Sequence, residues 1–255
     1  MKLNAPSKTF FIGEYAVLAG YPALVATTPP YFELVIDEAS DPELLNIHPN
    51  SPAGKLWAEH PDKKGRLTFC DPHEGRGGYG ASSAQFLMVY QWLHQIFEWD
   101  HEKLFTLLAC YKQYAGSKPS GADLLSQAVG GFVIVNPEKK EIESTTWPFD
   151  SIAWQLQHTG HKCSTHQHLD ALTQDDFTQL GKLAETGIAA YRAKDASQFF
   201  TLINQYYDAL LQLNLVHDTT QFIIEECRQQ PTLLAAKGCG AMGADVVLTL
   251  SELPK

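Results

Sequence analysis

One stretch limits what this chain can fold into more than any other. In Glu74-Gly-Arg-Gly-Gly-Tyr-Gly-Ala-Ser-Ser-Ala-Gln-Phe86, four glycines run straight into an apolar-periodic segment. Gly75, Gly77, Gly78 and Gly80 allow backbone angles closed to residues with a β-carbon, so successive N–H groups can converge on one oxyanion. Phe86, Val89, Tyr90, Leu93, Ile96 and Phe97 recur at helical spacing, which predicts an amphipathic helix from about Ser82. Its first N–H groups would face the loop, and the hydroxyls of Ser82 and Ser83 can cap the helix or reach a phosphate-bound Mg²⁺. A tight strand-to-helix turn without a ligand satisfies the same residues, so other stretches must decide.

Composition narrows the partners. A formal charge of -10 and a pI near 5.4 argue against a chain that wraps nucleic acid, which needs a basic surface, but leave room for a small anionic ligand held by a few local donors. The N-terminus has no apolar signal region and no stretch is long and apolar enough to span a membrane, so the expectation is a cytoplasmic protein without a membrane partner. The five scattered cysteines form no CxxC and read as reduced, mostly buried thiols.

Along the chain, Thr9 to Ile12 reads as a strand broken at Gly13, followed by Tyr15 to Leu18, a turn at Gly20 to Pro22, and strands at Ala23 to Thr27 and Tyr31 to Asp37. Residues 38 to 66, rich in Pro, Asp, Asn, His and Lys, read as an irregular excursion in which no packing stripe claims Trp57. After the glycine stretch come a helix over His101 to Tyr114, the polar turn Ser117-Lys-Pro-Ser-Gly-Ala-Asp123, a short helix, Gly130-Gly131 and a strand at Phe132 to Val135. Asp123 is either a helix cap or a working carboxylate. A strand follows at Ile152 to Gln157. Three helices then open at Asp175, Asp195 and Asp218, each Asp placed to accept from first-turn N–H groups. The chain closes on a hairpin whose turn is Lys237-Gly-Cys-Gly-Ala-Met-Gly243.

Four of these stretches, in this order, resemble the GHMP small-molecule kinases over nearly the whole chain. Ala5-Pro-Ser-Lys8 before Gly13-Glu-Tyr-Ala-Val-Leu18 resembles the family's opening motif, and Gly78-Tyr-Gly-Ala-Ser-Ser-Ala84 its phosphate loop with one residue inserted. Ser120-Gly-Ala-Asp123 before Gly130-Gly131 resembles its Ser-Gly-x-Asp turn, and Lys237-Gly-Cys-Gly-Ala-Met-Gly-Ala244 its last glycine motif. Gly-Glu-Tyr and the stretch Thr159 to Thr165 look closer to phosphomevalonate kinases than to mevalonate kinases.

The resemblance implies an α+β, two-domain GHMP kinase fold. Residues 1–145 would form an ATP-binding domain on a mixed sheet, like the second domain of ribosomal protein S5, and residues 146–255 a ferredoxin-like domain. It implies ATP-dependent phosphorylation of a small-molecule acceptor, phosphomevalonate or mevalonate in isoprenoid precursor synthesis, with ATP and Mg²⁺ as cofactors and a homodimer as a possible assembly. Lys8 and Asp123 are the implied catalytic pair. Gly75, Gly77, Gly78, Gly80, Ala81, Ser82, Ser83 and Ala84 would hold ATP, with Ser82 and Ser83 toward the metal. Glu14, Tyr15, Ser120, Gly121, Lys237, Gly240 and Ala241 would meet the acceptor. Arg76, Lys118, Lys162 and Lys237 are candidates for its anionic group.

Three departures stand out. Many mevalonate-kinase-like members carry a Mg²⁺-binding glutamate eleven residues before the catalytic aspartate, and here that position is Lys112. Met242 and Ala244 replace glycines of the last motif. A non-catalytic relative that keeps the fold is one alternative. Another is a metal-binding module built on His158, His161, Cys163, His166 and His168, soft ligands in a spacing that fits no standard zinc motif.

Overall fold

In the computed structural model, residues 1–62, 65–116, 119–161 and 174–253 are described. The centre is a pair of long antiparallel strands, β1 (Lys2–Ile12) and β2 (Ala23–Asp37), in a register that sets Lys8 opposite Thr27 and Phe10 opposite Val25. β4 (Arg66–Cys70) pairs with one end of β2, and β5 (Phe132–Asn136) with the other. Both stretches of β2 are already bonded to β1, so β4 and β5 share its opposite edge. β3 (Glu43–Leu45) lies parallel to β4 and β6 (Glu141–Thr145) antiparallel to β5, which makes this six-stranded sheet mixed. A second, three-stranded antiparallel sheet has the order β7 (Ile152–His158), β9 (Val246–Glu252), β8 (Leu233–Cys239).

Side-chain alternation along β1 explains how the layers assemble. Phe10 and Phe11 point to opposite faces. Phe10 joins Val25, Val133 and Leu125 with Leu104 and Leu108, the last three from α4 (Ala122–Val129) and α3 (His101–Tyr114). Phe11 joins Leu24, Ile134, Tyr191, Phe199 and Tyr206, the last three from α5 (Gln174–Arg192) and α6 (Ala196–Gln212). The helices after residue 145 therefore bury one face of the first sheet, and a single core runs across the seam. A third core packs α2 (Ala81–His94) and α1 (Pro52–Ala58) against Phe32, Leu34 and Leu67. Burying each such large apolar side chain contributes about 1.5–3 kcal/mol.

The structure corrects several sequence expectations. The excursion 38–66 contains β3 and α1; its apolar residues are too few to draw a stripe, yet Ser51 caps α1 by accepting from Gly54 N at 3.1 Å, with Pro52 behind it. Trp57 packs, half-buried, on the third core and is claimed after all. The break between Thr27 and Tyr31 is instead a bulge in one continuous strand. Pro29 and Pro30 fall where the register slips between Pro6 and Ser7, so no ladder donor is missed. α7 (Asp218–Cys227) is capped by the His217 ring, which accepts from Thr219 N, rather than by Asp218. Asp195 caps α6 as the pattern requires, accepting from Gln198 N at 3.0 Å. Lys237 and Gly238 belong to β8 and not to the closing turn.

Candidate active site

A cavity of about 960 Å³ opens between the phosphate loop, the end of β1, the start of α4 and the β8–β9 turn. Lys8, Glu14, Tyr15, Ser120, Asp123, Gly240 and Ala241 line it, together with Gly75, Gly77, Gly78, Gly80, Ala81 and Ser82. Four of the sequence candidates do not. Ser83 and Ala84 are buried, Gly121 backs against Leu108, and Lys237 is wholly enclosed.

Lys8 and Asp123 meet across it. Lys8 Nζ lies 3.1 Å from Asp123 Oδ2, the lysine side chain 7% exposed and the aspartate 35%. The Lys8 N–H donates to Tyr79 O at 3.0 Å, which fixes the strand against the phosphate loop. Asp123 stands in the first turn of α4, which starts from Gly121 at φ 77, and its carboxylate makes no cap bond. The N-cap position of α4 is Gly121, so Asp123 is not the capping residue the first reading expected. One turn on, buried Gln127 donates to Pro6 O at 2.7 Å and Gly80 O at 3.2 Å, joining α4, β1 and the loop.

The loop is shaped by Asp71, whose carboxylate accepts from His73 N at 2.8 Å and Gly75 N at 2.9 Å. The Gly75 N–H is thus engaged inside the loop, contrary to its expected part in an anion cradle. Gly80 takes φ 89 as the residue before α2, and a Cβ there would lie 2.8 Å from Lys8 Cγ. Glycine is required at that position. The Ser83 hydroxyl donates to Gly80 O at 3.0 Å, so Ser83 braces the loop while Ser82 faces the cavity. Under the loop the His73 ring stacks on Tyr79 at 3.7 Å and 5°, and its Nε2 sits 2.6 Å from Ser7 Oγ. Ser7 donates its one hydroxyl proton to Pro30 O, so His73 Nε2 carries the hydrogen. Burial pushes His73 below the ordinary histidine value of 6.5, and does the same to His158.

The opposite wall is built around Glu14. Tyr15 holds φ 64, and its hydroxyl accepts from Met242 N at 2.7 Å. Met242 takes φ 53, the left-handed conformation that the family's glycine would adopt freely, whereas Ala244 at φ −80 needs no glycine. Lys237, 0% exposed, pairs with Glu14 Oε1 and donates to Gly238 O at 2.9 Å and Phe10 O at 3.4 Å. Desolvation pulls its pKa down, but the neighbouring Cys239 and Glu14 outweigh this and raise it. Lys237 stays charged and cannot touch an acceptor.

Lys112 sits beside an adjoining cavity of about 540 Å³ that shares Val17, Leu18 and Ser120 with the first. It does not line the larger cavity beside the glycine loop. Lys118, Lys162, Cys163, His166 and His168 lie outside the described residues. His158 accepts from Gly160 N, and His161 stacks on His217 at 5.2 Å. Among the described residues no group of three His, Cys, Asp or Glu is placed to hold a metal.

Sequence reading missed Gln127, Asp71, His73 and Asp245. Gln127 was the accessible one, since it lies four residues past Asp123 on the same helical face. Asp245, 5% exposed, follows the last glycine motif directly and reaches the cavity between Gly77 and Gly240.

The whole arrangement is the fold of the GHMP small-molecule kinases. Phosphomevalonate kinase of Streptococcus pneumoniae, solved with phosphomevalonate and AMPPNP, superposes with a TM-score of 0.83 at 18% identity, covering 100% of this chain and 93% of that one. Methanococcus jannaschii mevalonate kinase follows at 0.77, 17%, 99% and 90%. Lactococcus lactis galactokinase, complexed with galactose, gives 0.81, 12%, 98% and 85%. No protein-family model and no curated protein sequence matches the chain. At these identities the likeness is one of fold.

Proposed function

We propose that this chain is an ATP-dependent kinase of a small-molecule acceptor, with phosphomevalonate or mevalonate as that acceptor. The observation that carries the reading is the Lys8–Asp123 pair, 3.1 Å apart on the wall of a cavity whose next wall is a glycine loop and a helix N-terminus. Phosphoryl transfer needs little covalent help from a protein. It needs alignment of attacking and leaving oxygens and stabilisation of charge on the transferred group.

Each part has a place in that chemistry. The N–H groups of the first turn of α2, unpaired within the helix, and the loop from Gly77 to Gly80 bind the nucleotide phosphates. Asp123 orients the acceptor hydroxyl and takes its proton as the bond to phosphorus forms. Lys8, paired with Asp123 at 3.1 Å, offsets charge on the transferred group. The Ser82 hydroxyl and the Asp123 carboxylate are hard oxygen donors that suit Mg²⁺ held chiefly through nucleotide phosphates, where the ion supplies further charge neutralisation. Residues 1–145 supply the nucleotide side, and residues 146–255 close the acceptor side through the Glu14–Lys237 contact.

The choice of acceptor rests on the Gly13-Glu-Tyr15 motif and on the phosphomevalonate kinase likeness; galactokinase shares the fold, so a sugar is the competing acceptor. Lys112 favours a second reading, a non-catalytic relative. Its position outside the catalytic cavity weighs against that reading. Coupled ADP release with phosphomevalonate, mevalonate or galactose tests the proposal. Acceptor-dependent turnover supports it, and ATP binding without stimulation by any acceptor opposes it.

A further inference from the structure

Gln127 is buried on α4, one turn past Asp123 and on the same helical face. Its Nε2 donates to two carbonyls at once, Pro6 O at 2.7 Å and Gly80 O at 3.2 Å. That fixes which end of the amide is which, since a turned amide would set an oxygen against both carbonyls. The other end, Oε1, is buried and has no hydrogen-bond partner among the described residues. An unpaired oxygen there costs stability, so packing alone does not favour a glutamine at this position.

The two carbonyls belong to segments that carry the other parts of the site. Pro6 stands two residues before Lys8, where the β1–β2 register slips, and Gly80 directly precedes α2. Two sides of a triangle are already closed. The Lys8 N–H donates to Tyr79 O and joins β1 to the loop, while Lys8 Nζ pairs with Asp123 and joins β1 to α4. Gln127 closes the third side, between the loop and α4. The loop's own shape has separate supports: the Asp71 carboxylate on His73 N and Gly75 N, and the Ser83 hydroxyl on Gly80 O.

Resting on the kinase reading above, we propose that Gln127 is a positioning residue for phosphoryl transfer: it sets the distance between the loop that holds the nucleotide phosphates and the Asp123 carboxylate that meets the acceptor hydroxyl. Gln127 does not itself line the cavity and acts through Gly80 and α4. Transfer is sensitive to such a distance, because a misplacement of about 1 Å can cost roughly 10²-fold in rate. Binding of ATP is less sensitive, since Asp71 and Ser83 go on shaping the loop.

Gln127→Met keeps the length of the side chain and removes both donors. Gln127→Asn keeps an amide too short for both carbonyls, and is measured beside it so that a fold lost in one variant does not end the test. The acceptor is whichever of phosphomevalonate, mevalonate and galactose gives the most ADP release in the wild type, and melting curves establish folding. A folded variant should show kcat lower by about 10- to 100-fold, with the KM values for ATP and acceptor and the calorimetric affinity for AMPPNP within about threefold of the wild type. In an Asp123→Asn background the same substitution should lower the residual kcat by at most about threefold, because the distance it sets no longer serves a proton acceptor. A folded variant whose kcat stays within about threefold of the wild type, whatever its KM for ATP, overturns the proposal and leaves a packing link. An equal loss in the Asp123→Asn background also overturns it and marks a general weakening of the fold. Both of those results leave the kinase reading standing. A wild type that binds AMPPNP but releases no ADP with any acceptor overturns that reading and this proposal together.

Discussion

Two lysine–carboxylate pairs flank the same strand, and they differ in what surrounds them. Lys8–Asp123 opens onto the cavity, with the aspartate side chain 35% exposed, whereas Lys237–Glu14 is sealed, with the lysine at 0%. An open pair is solvated and can exchange partners as a substrate arrives. A sealed pair is costly to form and far more costly to break, since removal of one member strands the other charge. Under the proposed function the chemistry falls to the first pair, while the second ties β8 to the loop after β1, and substitutions should separate the two.

The largest effect falls on catalysis. Asp123→Asn keeps the shape and removes the proton acceptor, so kcat drops by roughly 10²- to 10⁴-fold with a melting temperature near that of the wild type, readable by coupled ADP release and thermal unfolding. Next comes the sealed pair. Lys237→Ala leaves Glu14 buried without its cation and costs about 3–5 kcal/mol of stability in denaturant unfolding, while Lys8→Ala, at the open pair, changes stability far less than it changes turnover. Comparable losses of stability at both lysines would erase the contrast.

The contrast also marks where sequence reading stopped. Gly80 was legible because a glycine run is local, Lys8 and Asp123 were singled out only through the family resemblance, and the long helices followed from their apolar spacing. Lys237 was not. Its neighbours Gly238, Gly240 and Gly243 suggested a turn, and nothing local reveals that β8 faces Phe10, 227 residues away in sequence. The same limit hid α1, whose few apolar residues are buried only because α2 arrives later in the chain. The common core across residue 145 was equally invisible, since alternation in β1 says that both faces are covered without saying by what.

A smaller effect sharpens the picture of the open side. Gly80→Ala puts a Cβ 2.8 Å from Lys8 Cγ and 3.0 Å from Gln127 Nε2 at a left-handed φ of 89. Both the loop and Lys8 must shift, and the KM for ATP rises about tenfold or more in steady-state kinetics. The smallest effect concerns acid stability. His73 and His158 have native pKa values held below 6.5 by burial, so below that pH the unfolded chain binds more protons than the folded one. Stability therefore falls as pH drops below about 6.5, and His73→Gln, which keeps a donor toward Ser7, flattens the slope in melting curves taken across that window.

The most direct test of the central claim is ADP release from ATP and Mg²⁺, with and without phosphomevalonate, mevalonate and galactose, for the wild type and Asp123→Asn side by side. The account predicts acceptor-dependent release by the wild type that all but vanishes in a folded Asp123→Asn. Equal turnover by the two proteins, or no stimulation by any acceptor in a wild type that binds ATP, would contradict it.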